Sequence, residues 1–126
     1  MAGSGKLVGV CVGSRRGAGK KNIGAGRLVE NHGLEGDAHA GERKEISLVV
    51  LEEIRALNEQ EGIDAGPGDF AENLTVEGLN LDRVQIGDRI RVGESAVIEI
   101  IELGKRPEDM TDDELRAAMR EYGLAR

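Results

Sequence analysis

The sequence predicts a mainly β fold in one domain, and three observations carry the prediction. Glycine supplies 19 of 126 residues, about twice its average usage, with no collagen-like or low-complexity period. So many glycines mean many turns, and many turns favour short strands. The apolar residues gather in brief runs rich in β-branched side chains, such as Lys6–Val12 and Glu45–Val50. The length fits a single domain over residues 1–126, large enough for a core without disulfides or metals. With no Trp, one Phe and one Tyr, that core must be aliphatic.

Each element follows from its local pattern. Lys6–Val12 is apolar on both faces and reads as a central strand. Residues 13–22 form a glycine-rich basic loop. It is not a P-loop, because Ser14 stands at the first glycine position and Lys21 replaces the magnesium-binding hydroxyl. What remains is a loop whose cations and backbone amides suit an anion. Residues 26–30 and Glu45–Val50 read as strands. Leu51, Ile54 and Leu57 then recur at helical spacing, predicting a helix over Leu51–Glu61 that stops at Gly62. Asp64–Leu74 is a turn-rich linker holding the lone Phe70. Leu74–Val76, Arg89–Val92 and Ser95–Leu103 are further strands, with Gly93-Glu94 as a two-residue hairpin turn. Thr111 and Glu114 form a capping box that opens a second helix over 111–121.

Charge and cysteine usage bound the setting. Net charge is −7, yet residues 1–27 carry six basic side chains and no acid, leaving −13 from position 28 onward. The acidic body argues against a broad nucleic-acid surface, while the basic segment suits an anionic ligand. A lone Cys11 excludes an intrachain disulfide and fits a reducing cytoplasm. No window approaches membrane-spanning length, so no membrane contact is expected. Flanked by valines in a central strand, Cys11 reads as core filler rather than nucleophile.

The stretch Gly33–Gly41 holds the chemistry-bearing pair Asp37 and His39. Were it extended, the two side chains would share one face, and the carboxylate would orient the imidazole. The alternative is a turn aspartate that caps its own backbone.

Taken together, several motifs resemble the MOSC family, named for the C-terminal domain of molybdenum-cofactor sulfurases. They are Gly33-Leu34-Glu35-Gly36-Asp37-Ala38-His39, Ile46-Ser47-Leu48 before a helix, Gly66-Pro67-Gly68-Asp69-Phe70-Ala71-Glu72-Asn73-Leu74-Thr75, Gly87-Asp88-Arg89-Ile90-Arg91-Val92-Gly93 and Gly104-Lys105. The resemblance spans Lys6 to Lys105 in the family's order. It implies a closed or nearly closed mixed β-barrel, like the β-barrel domain of pyruvate kinase, with two or three short helices. It also implies a role around the molybdenum cofactor (molybdopterin). Pyridoxal phosphate, a cofactor of the full sulfurases, is not expected in so short a chain without a Schiff-base motif.

There are two departures. The family's sulfur-carrying cysteine follows the Gly-Lys pair, but here Arg106 and Pro107 follow it. Small family members also continue past Gly123-Leu124-Ala125-Arg126 with further strands. A barrel lacking them would leave an edge that the 111–121 helix covers, or across which two chains associate as a homo-oligomer.

Three functions compete. The first is a cofactor-binding accessory protein without sulfur-carrier activity, serving a molybdoenzyme or a cofactor-biosynthesis protein. In it Arg15, Arg16, Lys20, Lys105 and Arg106 hold the pterin phosphate, while Asp37, His39, Glu72 and Asn73 line the pocket beside a buried Phe70. The second is a MOSC-fold scaffold or interaction module without catalysis. The third, a metal site or hydrolase built on Asp37, His39 and Glu72, ranks last because two ligands and a guess make a poor metal site.

Overall fold

The computed structural model describes residues 4–14, 19–105 and 109–121. Arg15, Arg16, Arg106, Pro107 and the last five residues of the chain lie outside the described residues.

The sheet at the centre has four strands in the order β2 (Lys21–Asn22), β1 (Lys6–Val12), β6 (Leu74–Glu77) and β5 (Leu48–Val50). β1 is central, as its apolar run requires. It pairs antiparallel with both β2 and β6, and β5 runs parallel to β6. β3 (Leu28–Val29) and β4 (Gly33–Leu34) form one two-stranded sheet; β7 (Arg89–Val92) and β8 (Ala96–Glu99) form another.

The barrel expected from the resemblance is not there: among the described residues no sheet closes. β7 and β8 pair only with each other, and β5 ends the central sheet with one side open. The strand expected over Ser95–Leu103 stops at Glu99. Ile100 instead trades hydrogen bonds with the turn before β7, giving its amide to Asp88 and accepting from Gly87. The chain from Ile101 to Lys105 therefore runs past the central sheet without joining it. The hairpin turn also differs from expectation, because Val92 faces Ala96 and leaves a three-residue loop with Gly93 at φ 67°.

The helices fall where their periodicity puts them. α1 (Leu51–Glu61) leaves β5 directly and ends at Gly62, whose φ of 63° is the left-handed cap that glycine adopts without cost. α2 (Asp112–Glu121) opens with a reciprocal capping box: Thr111 Oγ1 accepts from Glu114 N, and Glu114 Oε1 accepts from Thr111 N, each at 3.2 Å. α2 packs against α1. Its Leu115 and Met119 pack on Leu57 of α1, with Ile63, Phe70 and Met110 around them. Leu57→Ala should thus remove a buried side chain shared by both helices, at about 2–5 kcal/mol. Urea unfolding followed by circular dichroism measures it; a loss under 1 kcal/mol would mean that α2 is not seated there.

Candidate functional site

The Gly33–Gly41 stretch opens with the two residues of β4 and then runs through turns rather than an extended strand. Asp37 and His39 therefore do not share a face. Asp37 is buried, whereas His39 is partly exposed with its Nδ1 3.5 Å from Glu42 Oε1. The carboxylate does not orient the imidazole. It caps its own turn, with Oδ2 accepting from the His39 amide at 3.1 Å.

The main partner of Asp37 is Lys20. Both carboxylate oxygens accept from Lys20 Nζ, at 2.7 and 2.8 Å, and neither side chain is exposed. Oδ1 also accepts from Gly13 N at 3.0 Å. One carboxylate thus holds both ends of the basic loop, Gly13 and Lys20. The Lys20 amide adds a bond to the Gly68 carbonyl, and Ala38 N bonds Gly13 O. Burial alone would raise the Asp37 pKa. The hydrogen bonds from Lys20, Gly13, His39 and Asn73 outweigh it and hold the carboxyl below 3.8. Lys20, expected to meet a phosphate, faces inward as the counter-ion of Asp37.

A second buried polar group links β1, β5 and β6. Asn73 accepts from the Ser47 amide and donates to the Cys11 carbonyl, at 3.0 and 3.1 Å. Its own backbone accepts from Cys11 N and donates to Ser47 O. Glu72 accepts from Phe70 N at 3.1 Å and from the Thr75 hydroxyl at 2.7 Å. Cys11 lies beneath them, fully buried. Burial first, then the Glu72 charge, push its thiol up to about 11, against an opposing hydrogen bond from Thr75. Ser47 and Thr75 were given no role of their own from the sequence. The one signal that points to them is that each stands inside a quoted motif, Ile46-Ser47-Leu48 and Gly66–Thr75.

The structure opens one large cleft, about 1320 Å³, between the β5 side of the central sheet, the two helices and the β7–β8 hairpin with its continuation to Lys105. Leu48, Ile54, Phe70, Ile98 and Leu115 give it apolar walls. His39, Asn73 and Lys105 all line it, while Asp37, Glu72 and Lys20 lie behind the wall. The expected quartet is therefore split: Asp37 and Glu72 are buried away from the opening, and only His39 and Asn73 reach the cleft. Phe70 is half-buried beside them. Lys105 Nζ sits 2.8 Å from Glu114 Oε2 on α2, and Lys44 Nζ lies 3.2 Å from Glu102. Both pairs are well exposed, so they exchange readily with a competing anion. Among the described residues no group of three His, Cys, Asp or Glu side chains is placed to hold a metal ion. No helix among them is long and apolar enough to cross a membrane.

The family model described as MOSC domain matches residues 35–113 of the chain. No curated protein and no solved structure matches it.

Proposed function

From a chain that belongs to the MOSC domain family, one linked to the molybdenum cofactor, we propose a protein that binds the pterin cofactor and does not carry sulfur. The observation that supports this most is the state of the thiol. A persulfide carrier needs an accessible thiolate stabilised by positive charge. Cys11 has no exposure and a pKa of about 11, so roughly one molecule in a thousand is thiolate at pH 8. No cysteine stands beside Gly104-Lys105.

The cleft suits a flat, partly apolar ring in size and walls. In this reading His39 supplies a polar contact to the ring, and Asn73 and Asp37 keep the surrounding wall in place. The cofactor's phosphate sits toward Arg43, Lys44 and Lys105, the three cations of the lining. When bound, the cofactor brings the metal and dithiolene chemistry; the chain's part is to hold and shield it.

The test has two arms. The protein is purified from a cofactor-producing host, oxidised, and examined for pterin fluorescence. Retention at near one pterin per chain is expected, with a loss of fivefold or more in His39→Ala and Lys105→Glu. No pterin above background would sink the binding reading and leave an interaction module. In the second arm the protein meets a cysteine desulfurase and cysteine, then is weighed by mass spectrometry. No added sulfur on native Cys11 is expected; a transferable persulfide there would overturn the carrier half of the proposal.

A further inference from the structure

Among the described residues the central sheet has two unlike open edges. One is β2 with the uncovered first half of β1, where Lys6, Leu7, Lys21 and Ile23 stand exposed. Leu7 and Ile23 keep 41% and 47% of their surface in water, high for aliphatic side chains on a sheet. That edge is basic and apolar. The other is β5, whose unpaired side faces the apolar cleft. The cleft lining carries six glutamates, Glu30, Glu42, Glu45, Glu53, Glu99 and Glu102, against two lysines and one arginine. That edge is acidic and apolar. Open strand edges pair with other strands unless something prevents it, and here the two ends of one sheet match in shape class and oppose in charge.

We propose that copies of this chain associate head to tail, the Lys6–Leu7 and Lys21–Ile23 edge of one copy seated in the acidic cleft beside β5 of the next. The occupant is a second copy because its complement is written into the same chain: all charge in residues 1–27 is positive, and the rest is strongly negative. Such a contact joins two different surfaces, so it propagates into a ring or a short filament rather than closing as a two-fold dimer. Its charge component weakens with salt. The same cleft cannot hold a pterin and a neighbouring strand together, so assembly and cofactor binding would exclude each other. The association stands whether or not the pterin does.

Sedimentation equilibrium over a hundredfold concentration range at low salt is the experiment. The mean mass should climb beyond that of a dimer and fall back toward the monomer in high salt. Two variants neutralise one end each: Lys6→Gln with Lys21→Gln, and Glu30→Gln with Glu102→Gln. All four positions are exposed, so circular dichroism should show both variants folded. Each alone should remain monomeric at the concentration where the native chain assembles. Mixed one to one, they should give a dimer that grows no further, because only one intact head meets one intact cleft. A native chain that stays monomeric at low salt would overturn the proposal. So would a dimer that persists in both variants, or a mixture that behaves as the sum of its parts.

Discussion

Asp37→Ala is expected to lose about 3–5 kcal/mol of folding stability, because it leaves the Lys20 ammonium buried without a partner. Lys20→Met should cost a similar amount by stranding the carboxylate. The pair variant Lys20→Met with Asp37→Leu should recover much of the loss, since a buried ion pair is often replaceable by apolar side chains of similar volume. Urea midpoints of the three variants decide the matter; single losses under 1 kcal/mol would mean that the pair behaves like an exposed one. The pH dependence has a definite sign. The folded Asp37 carboxyl is held below its unfolded value of 3.8. Its contribution is therefore complete above about pH 5 and falls away as pH drops through the folded value. Asp37→Asn should flatten that acid limb of the stability curve.

Gly68→Ala is the second large effect. Gly68 has φ 92°, a conformation costing a non-glycine residue about 1–3 kcal/mol. An added Cβ would also overlap the Lys20 carbonyl carbon at 2.9 Å and its oxygen, and press on the Cys11 sulfur at 3.3 Å. The Gly68 carbonyl accepts from the Lys20 amide, so the strain falls on the same junction that Asp37 holds. We expect loss of soluble protein at 37 °C, or a thermal midpoint lowered by 10 °C or more, using roughly 4–8 °C per kcal/mol for a domain near this size. Gly66→Ala is the control: an added Cβ there meets nothing within 4 Å. Equal effects of the two substitutions would refute the packing argument.

What was legible in the sequence were the elements with an apolar run or a period. β1 shows as a run apolar on both faces, β7 by alternation, and α1 and α2 by a 3.6-residue repeat, and all four lie within a residue of their expected bounds. β2 and β4 have two residues each and no period, so β2 lay hidden inside a loop. Closure of the sheet depends on which edges meet, a long-range property that no window contains. The site shows the same division. Gly33–Gly41 and Gly66–Thr75 were marked as the chemistry-bearing stretches, and they meet at Lys20, whose ammonium bonds Asp37 and whose amide bonds the Gly68 carbonyl. The partner of Asp37 was missed because Lys20 sits 17 positions upstream in a loop whose cations were assigned to an anionic ligand. A hint was available: a glycine-bracketed aspartate destined for burial needs a cation, and that loop held the nearest upstream lysines. The expectation that Asp37 and His39 share a face failed because Gly33, Gly36 and Gly41 all adopt positive φ and fold the stretch into turns.

The double hold of Asp37 on Gly13 and Lys20 has a practical consequence for protein engineering. A single carboxylate sets the span between these two positions, whatever chain runs between them. The two positions therefore behave as one unit in any redesign: replacing Asp37 releases Gly13 and Lys20 together, so neither can be re-engineered alone through that carboxylate.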